Sequence, residues 1–444
     1  MYCIFYTRNI GFKYFVYIIN MIIYSEKAYT KVIDIIATKE VFLVPVPLNY
    51  SLHSKQTKIC VIYVRDLQAN ESYLIPIDHP DSNINFKIPS NIFKAYVPSI
   101  KDAIHLGINS KNLIDIQLLY YYNTGNKLQF KKTEAQKVIE RKFWKYSKNN
   151  QLVPILKLLE YCKNNRKQYI ETIGNITQLS TEFIEYNRDI TEAYSLLESN
   201  GICTTEGLEY THYNFFTSTG RPSNTHNGIN YAALNKEDGS RDRFISRFDN
   251  GMLVEMDFDA YHLRLISNLI NYKLPDGSVH KYLGKYYFGK EELTSEEYQE
   301  AKQINFKILY GGIPKEFKNI EFFRLIGEFI GKLWYEWKSK NYITTYLYKR
   351  RMTKERLGEM NPQKLFNYYI QAYETEYNIM VLKGFKEVLN DKQTKVVLCT
   401  YDSFLFDFNI SDGLKTLQEL QSSMKIQSKV SIGANYSTMI DKSI

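Results

Sequence analysis

Two single acids, each beside an apolar run, are the residues of this chain whose placement most suggests chemistry. Asp402 separates the two apolar runs of VVLCTYDSFLFDF at 396–408, a pattern typical of a tight hairpin, and Asp257 ends the apolar run MLVEMD at 252–257. Taken alone, Asp402 fits a turn aspartate that bonds its own backbone. Asp257 taken alone fits a helix N-cap, although Asp259 suits that cap better.

Two carboxylates at neighbouring strand ends would form a site for divalent cations. Two Mg²⁺ ions about 4 Å apart activate a 3′-hydroxyl and stabilise a leaving pyrophosphate in an in-line displacement. Mg²⁺ prefers oxygen ligands, and it needs few protein carboxylates where substrate phosphates supply the rest. We therefore predict that Asp257 and Asp402 bind two Mg²⁺ ions.

A predicted helix between the two acids carries a cation and two aromatic rings on one face. In EEYQEAKQINFKILYGG at 296–312, Lys302, Phe306 and Tyr310 are spaced four residues apart, so they share one helix face. Such a face can hold a triphosphate with its cation and stack a base against its rings. Core packing with a snorkelling lysine is the alternative for this helix taken alone. The glycine pair after Tyr310 predicts the helix end.

A loop upstream of both acids, TSTGRPSN at 217–224, joins Gly220 to Arg221. Glycine lets the backbone approach a partner closely, and a guanidinium group can bind a phosphate or a base edge in the minor groove. A T-x-x-G-R string occurs by chance in many proteins. Its weight comes from its position ahead of the other three motifs.

The order of these motifs resembles that of the family A DNA polymerases, from residue 217 to residue 407. That family carries a T-x-x-G-R motif, motif A (D-Y-S-x-x-E-L-R), motif B (R-x₃-K-x₃-F-G-x₂-Y-G) and motif C (V-H-D-E). The corresponding segments here are TSTGR (217–221), DFDAYHLR (257–264), YQEAKQINFKILYG (298–311) and TYDS (400–403). Shorter similarities are HNGIN (226–230), VHKY (279–282) and NYYIQ (367–371).

The resemblance implies a role for each matching residue. Asp257 and Asp402 would be the catalytic, metal-binding carboxylates. The residues implied to bind the incoming nucleotide are Lys302 and His280 at the triphosphate, Phe306 and Tyr310 along the sugar and base, and His262 beside the sugar. The residues implied to bind template–primer DNA are Thr217, Arg221, Asn367 and Gln371.

Three residues depart from the family pattern. Tyr298 replaces the motif B arginine, so one triphosphate cation is missing unless Lys315 or another residue substitutes. His262 replaces the motif A glutamate that excludes ribose, and Ser403 replaces the motif C glutamate. The resulting Y-D-S-F is similar to the H-D-S-F of single-subunit RNA polymerases, whereas the TSTGR threonine, HNGIN and Phe306 favour DNA. The choice of sugar is the most open part of the assignment.

His262 is the residue on which that choice is predicted to depend. An imidazole keeps most of the bulk of a glutamate, and it can also donate a hydrogen bond to a 2′-hydroxyl. We therefore expect a dNTP preference that is less strict than the glutamate's and that falls by roughly 10- to 200-fold in His262→Ala.

The resemblance implies a DNA-directed DNA polymerase that transfers dNTPs to a primer 3′-end with two Mg²⁺ ions, in a phage or a similar replicon. Two alternatives stay open: a single-subunit RNA polymerase or primase-like enzyme on the same palm, and an inactive nucleic-acid-binding relative weakened at Tyr298 and Ser403. The implied partners are primer–template DNA and dNTPs, and a processivity factor is left open. No membrane is expected, and the predicted location is the cytoplasm, which is the host's if the chain is viral.

For the elements that must position these residues, the resemblance implies an α+β fold: a right-hand polymerase palm with an antiparallel sheet and helical fingers, preceded by a small α/β exonuclease-like domain. The predicted regions are the exonuclease-like domain (1–125), a helical reduced thumb or linker (126–205), the first part of the palm (206–272), the fingers (273–375) and the second part of the palm (376–444). Residues 1–20 are predicted to precede a more natural start at Met21.

The predicted exonuclease-like sheet, at about 38–80, lacks catalytic acids. The D-x-E metal motif of that fold would fall at FLVPVPL, 42–48, which contains no acid. A domain without its metal-binding carboxylates cannot run a two-metal reaction, so we predict no proofreading. The Lys- and Arg-rich helical segment 131–200 is either a solvated face or a duplex contact that replaces a thumb.

The composition favours some classes of partner and site and disfavours others. The 444 residues carry a formal net charge of +9, which suits a polyanionic partner without proving one. The five cysteines are scattered without metal-ligand spacing, so a zinc site or a disulfide framework is disfavoured and a reducing compartment fits. The longest uncharged run near the N-terminus, 14–25, is too short to span a bilayer.

Overall fold

The structure is a computed structural model that describes residues 21–174, 179–226, 229–235 and 237–442. The described residues form two compact units, one within 21–120 and 128–191 and the other within 121–127 and 192–442. The predicted leader 1–20 and the centre of HNGIN, Asn227 and Gly228, lie outside the described residues. Among the described helices, none combines the length and the apolar composition that crossing a bilayer requires.

The first unit is a mixed sheet with helices. Its strands are β1 (Glu40–Pro47), β2 (Ile59–Asp66), β3 (Ser72–Pro76), β4 (Lys94–Val97) and β5 (Leu113–Asp115). Its helices are α1 (Glu26–Thr38), α2 (Ile100–His105), α3 (Ile116–Thr124), α4 (Glu134–Lys142), α5 (Ile155–Gly174) and α6 (Thr181–Asn200), of which α3 and α6 continue into the second unit. Short 3₁₀ turns occupy Ser54–Gln56 and Asn150–Leu152.

The strand β1 lies at the centre of this sheet, whose order is β3-β2-β1-β4-β5. It pairs antiparallel with β2 and parallel with β4. Its apolar residues Phe42, Leu43 and Val46 are fully buried. The position at which the resemblance places the D-x-E motif therefore holds apolar side chains inside the sheet. The relation of this unit to an exonuclease stays a prediction.

The second unit contains most of the strands and helices. Its strands are β6 (Ile202–Thr204), β7 (Gly207–Glu209), β8 (His212–Asn214), β9 (Ser223–His226), β10 (Ile229–Asn230), β11 (Gly251–Phe258), β12 (Tyr342–Thr344), β13 (Arg351–Thr353), β14 (Lys395–Cys399), β15 (Ser403–Asn409), β16 (Ser428–Gly433) and β17 (Ile440–Lys442). Its helices are α7 (Tyr261–Leu269), α8 (Val279–Phe288), α9 (Ser295–Gly311), α10 (Glu321–Lys340), α11 (Lys354–Leu357), α12 (Pro362–Val388) and α13 (Gly413–Ser423). Short 3₁₀ turns occupy Tyr231–Ala233, Lys315–Phe317 and Ile410–Asp412.

Five antiparallel strands form the sheet that corresponds to the predicted palm. Their order is β14-β15-β11-β16-β17, with β11 at the centre. The predicted hairpin at 396–408 is formed by β14 and β15. The strands β16 and β17, which complete the sheet on the other side of β11, were not predicted. Leu253, Val397 and Leu405 are buried in one core of this unit.

Helices α7 to α10 and α12 share a second apolar core in the predicted fingers region. Helix α9 begins with a capping box, in which the side chain of Thr294 accepts from the Glu297 N–H and the Glu297 carboxylate accepts from the Thr294 N–H. Helix α12 begins with Asn361 as its N-cap and Pro362 in its first turn, where a missing N–H costs no helical hydrogen bond. Its 27 residues extend about 40 Å.

A buried ion pair ties β15 to the segment that leads into β11. The Asp407 carboxylate, which is 1% exposed, accepts from the Arg247 Nε at 2.6 Å and from the Arg247 backbone N–H at 3.1 Å. The other two guanidinium nitrogens of Arg247 donate to the carbonyl oxygens of Asn200 and Gly201, each at 2.9 Å. Each of the three guanidinium nitrogens donates a hydrogen bond, so the pair is well satisfied.

We expect Arg247→Ala to lower the free energy of unfolding by about 3–5 kcal/mol, because it leaves the Asp407 carboxylate buried without its cation. The matched control is Arg324→Ala, which removes an i,i+4 ion pair with Glu328 that is 51% exposed on both sides. That control should cost below about 1 kcal/mol. Denaturant unfolding of both variants measures the difference, and equal losses would contradict the buried pairing.

Candidate active site

The pairing of β11 with β15 brings the two predicted catalytic acids together. Asp257 on β11 is directly opposite Ser403 on β15, the residue that follows Asp402. The backbone N–H of Phe258 donates to the carbonyl oxygen of Asp402 at 3.0 Å. Both acids line the same cavity. A carboxylate at the end of β11 and a carboxylate in the turn just before β15 are thus presented to one space.

The turn that carries Asp402 is held by two contacts to the preceding residue. Tyr401 has a left-handed backbone, with a φ of 68°, which a residue other than glycine keeps only where its surroundings hold it. The side-chain amide of Asn378 donates to the Tyr401 carbonyl oxygen at 2.6 Å. The Arg221 guanidinium carbon lies 3.9 Å from the centre of the Tyr401 ring. These contacts fix the backbone immediately before Asp402.

The surroundings of Asp402 disfavour its charged form. Its side chain is open to the cavity, but the surrounding protein partly removes it from water, and this desolvation raises the pKa of its carboxyl above the usual range. The negative charge of Glu374 raises the pKa further, and the positive charge of Arg221 opposes this effect. Since two acids crowd this part of the cavity, a cation beside Asp402 would remove an electrostatic penalty.

The cavity has a volume of about 240 Å³. The predicted site residues that line it are Asp257, Asp402, Arg221, His262, His280, Lys302, Phe306 and Tyr310. Tyr298, Asp259, Glu374 and Lys429 line it as well. Residues from all four motif segments, which are distant in the sequence, therefore line one cavity.

The predicted face of α9 is exposed to this cavity. Lys302 is exposed, and Phe306 and Tyr310 keep 46% and 44% of their surface accessible. The Phe306 and Tyr310 rings are nearly parallel, with 6° between their planes and 6.2 Å between their centres. Core packing, the alternative for this face, is wrong, because the opposite side of α9 is the one that is buried. Parallel rings beside a cation are suited to a sugar, a base and a phosphate chain.

His280 at the start of α8 is a neutral donor in the cavity wall. Burial lowers the pKa of its imidazole to about 4, so the ring is uncharged at neutral pH. The Asn305 amide nitrogen lies 3.0 Å from Nδ1 of the ring. Because an amide nitrogen only donates, Nδ1 accepts and Nε2 carries the hydrogen. His280 therefore offers one N–H to a ligand rather than a positive charge.

The sequence left open whether Lys315 or another residue supplies the cation that is missing at Tyr298. Lys315 lies on the 3₁₀ turn Lys315–Phe317 and is not among the residues that line the described cavity. Lys429 on β16 does line it, with 62% of its side chain exposed. The motif pattern ends before β16, so it could not identify this lysine.

The expectation that Asp259 is the N-cap of the helix after β11 is wrong. The N-cap of α7 is Ala260, which has a left-handed φ of 51° and makes no side-chain capping bond. The Asp259 carboxylate instead lies 3.5 Å from Arg264 and 3.9 Å from Lys429. Two cations draw this acid away from the helix end, which local capping rules do not anticipate.

His262 is held by residues from two other helices. Its Nδ1 lies 2.9 Å from the Tyr310 hydroxyl, and its Nε2 lies 2.6 Å from Oε2 of Glu374. The other carboxylate oxygen of Glu374 accepts from Arg221 Nε at 2.9 Å. Glu374 was missed by the sequence analysis. The available signal was an acid in the apolar segment YYIQAYE, one turn after Gln371.

The remaining predicted DNA-binding residues lie outside the cavity. The Asn367 amide donates to the Tyr310 carbonyl oxygen at 3.4 Å and lines a small side pocket with His262 and Tyr310. Gln371 lies one turn further along α12 and is partly buried. The Thr217 hydroxyl donates to the Arg221 carbonyl oxygen at 3.0 Å. Thr217 thus shapes the loop that presents Arg221. The DNA-binding roles stay predictions.

Comparison with known proteins finds a curated relative and solved structures of similar fold. No protein-family model matches the chain. DNA polymerase I of Bacillus subtilis (strain 168) is 24% identical over 225 residues, which cover 43% of this chain and only 26% of that protein. The POL domain of Pol1 from M. smegmatis, solved in complex with DNA primer-template and dNTP, matches with a TM-score of 0.65 at 11% identity. This match covers 91% of the chain and 96% of the POL domain chain.

The chain therefore has the fold of a nucleic-acid polymerase domain. Within that class, its fold and its sequence both resemble the family A DNA polymerases. The predicted α+β polymerase fold and the predicted family resemblance are confirmed.

The loop that presents Arg221 provides a test of the site's packing. Gly220 has a φ of +85°, and a Cβ there would lie 3.1 Å from a guanidinium nitrogen of Arg350. Gly277 has a similar φ of +90° but has open space around it. Gly277→Ala should therefore cost about 1–2 kcal/mol from backbone strain alone. Gly220→Ala should cost roughly a further 1–3 kcal/mol from overpacking. Denaturant unfolding measures both, and equal losses would contradict this packing.

Proposed function

We propose that this protein is a DNA-directed DNA polymerase that adds dNTPs to a primer 3′-end by a two-metal mechanism. The observation that carries the proposal is the convergence of Asp257 and Asp402 with the Lys302–Phe306–Tyr310 face of α9 in one cavity. Acids alone would fit many metal sites. Acids opposite a cation and two parallel rings fit a nucleoside triphosphate whose phosphates meet the metals.

The two acids suit hard divalent cations. Both candidate ligands are carboxylates open to the cavity, and oxygen ligands of this kind are those that Mg²⁺ prefers. Burial first, and then the negative charge of Glu374, raise the pKa of Asp402, and a bound cation would favour the charged form that both disfavour. Bound there, two divalent cations would favour deprotonation of the primer 3′-hydroxyl and neutralise charge on the leaving pyrophosphate. We propose Mg²⁺ for this role.

The residues opposite the acids would bind and orient the nucleotide. Lys302 and Lys429 would pair with the triphosphate charge, and His280 would donate its Nε2–H to a phosphate oxygen. Phe306 and Tyr310 would pack against the sugar and the base. Holding the α-phosphate close to the primer end makes a bimolecular reaction effectively unimolecular. Such positioning, together with electrostatic stabilisation, accounts for most of the catalysis in phosphoryl transfer.

Arg221 and the polar residues of α12 would contact the template–primer duplex. The Arg221 side chain is 29% exposed while its Nε is fixed by Glu374, so its remaining donors are oriented before DNA binds. Asn367 and Gln371 occupy successive turns of the same helix. The duplex, the dNTP and both acids would then meet at the cavity mouth. A processivity factor and a phage origin are not needed for this function.

Proofreading is proposed to be absent. The central strand β1 presents apolar side chains where an exonuclease needs metal-binding acids.

The two alternative functions, an RNA polymerase and an inactive relative, stay open because His262 and Ser403 depart from the DNA polymerase pattern. Parallel extension assays with dNTPs and rNTPs separate a DNA polymerase, an RNA polymerase and an inactive relative.

Asp257→Asn and Asp402→Asn should each abolish primer extension, because each removes a charged metal ligand while keeping the side-chain shape. Primer–template affinity should change little, since phosphate contacts elsewhere supply it. The matched control is Asp249→Asn, an exposed acid just before β11, which should keep full activity. Gel-based extension and a DNA-binding titration measure the two properties, and activity retained in either cavity variant would refute the two-metal site.

The intact protein with Mg²⁺ and no nucleotide should leave a mismatched primer 3′-end uncut, because the segment 42–48, where the metal-binding motif would fall, contains no carboxylate. A labelled mismatched primer, incubated over several times the period needed for full extension, provides the measurement. Steady release of mononucleotides that persists after purification would show that the chain contains an exonuclease site.

A further inference from the structure

Glu374 is a buried acid at the centre of the site, with no counterpart in the motifs. It lies midway along α12, is 1% exposed and lines the cavity. Oε1 accepts from Arg221 at 2.9 Å, and Oε2 lies 2.6 Å from His262. A carboxylate buried to this degree is retained at low cost only when both oxygens are paired. Both oxygens of Glu374 are paired, and both partners are motif residues.

The contacts of His262 determine where its hydrogens are. A carboxylate only accepts, so Nε2 of His262 donates to Glu374. In the neutral ring Nδ1 is then the acceptor, and the Tyr310 hydroxyl at 2.9 Å donates to it. Both ring nitrogens are thereby engaged. The expected hydrogen bond from His262 to a 2′-hydroxyl does not fit this network.

We propose that Glu374 is a positioning residue that sets sugar selectivity by holding the His262 ring in one orientation against Tyr310. The inference rests on the proposed polymerase function and deepens it. The His262 ring supplies the bulk that would contact the sugar, and the Glu374 carboxylate on α12 holds this ring in place. An imidazole anchored at both nitrogens cannot rotate away from a 2′-hydroxyl, so its bulk acts as a fixed barrier.

The same carboxylate has a second role, because Glu374 also holds Arg221. Arg221 lies over the Tyr401 ring at 3.9 Å, next to Asp402. Loss of Glu374 could therefore slow catalysis through Arg221 without any effect on sugar choice. The ratio of dNTP to rNTP efficiency separates the two effects, because a displaced Arg221 changes both substrates alike.

The first experiment compares Glu374→Gln with the parent. We expect the ratio of kcat/KM for a dNTP to kcat/KM for the matching rNTP to fall about tenfold, the size of one lost charge-assisted hydrogen bond. Glutamine keeps the length of the side chain but removes its negative charge, so the charge-assisted hydrogen bonds to both His262 and Arg221 are lost or weakened. A ratio equal to that of the parent overturns the inference.

The matched control is Glu376→Gln. Glu376 lies two residues away on the same helix and is 2% exposed, but its carboxylate accepts from the Leu347 N–H outside the cavity. The control variant loses a buried charge as Glu374→Gln does. It should leave the dNTP/rNTP ratio unchanged. A fall in both variants would show a general effect of destabilising α12 and would overturn the specific role of Glu374.

A double-mutant cycle with His262→Ala tests whether Glu374 acts through the imidazole. If it does, Glu374→Gln should lower the ratio no further once His262 is alanine, because contacting residues are not additive. Additive losses would show that Glu374 affects the sugar by another route and would overturn the inference.

Two further measurements test the inference if Glu374→Gln is inactive or unfolded. Affinities of dNTP and rNTP for the enzyme on a 3′-dideoxy-terminated primer give the same ratio without turnover. Tyr310→Phe removes the opposite anchor of His262 with the loss of one oxygen atom, and it should lower the ratio in the same direction. An unchanged ratio in Tyr310→Phe overturns the inference. A parent that extends primers with neither nucleotide refutes the proposed function itself.

Discussion

The antiparallel register between β11 and β15 is the constraint on which the site depends. Side chains on a strand alternate between two faces, so a slip of one residue would send Asp257 to the opposite face, away from the turn that carries Asp402. Apolar residues on both strands fix that register, because Leu253 and Leu405 are buried in a shared core. The buried pair of Arg247 and Asp407 fixes it at the other end of the strands. The catalytic geometry is thus determined by core packing away from the cavity.

Buried acids act as connectors in this unit. Glu374 joins Arg221 to His262, and Asp407 joins Arg247 to β15. A buried ion pair contributes little net stability relative to apolar packing, but breaking it leaves an uncompensated charge. Arrangements in which these segments shift apart are therefore penalised strongly. This property suits a site that is assembled from segments more than 100 residues apart in the sequence.

The sequence predicted the parts of the site that depend on local spacing. The face of α9 follows from helical periodicity, and the placement of Asp402 follows from a hairpin between two apolar runs. The incorrect or missing parts depend on long-range contacts. Asp259 pairs with Arg264 and Lys429 instead of capping α7, and Glu374 gains its role only through side chains from other helices. Arg264 is only five residues from Asp259, but Lys429 and the partners of Glu374 are far away in the sequence and cannot be identified from neighbouring residues.

The attachment of α9 at one end has a consequence for its motion. The backbone carbonyl groups of Leu309 and Tyr310 accept from side chains of α12, and Gly312 follows with a φ of +109°. If α9 turned about this end together with α8, to which its middle is bonded through Asn305 and His280, the ring of Tyr310 would hardly shift. Tyr298 lies about 20 Å away along the helix axis. Such a rotation would therefore carry the first turns of α9 through several ångströms.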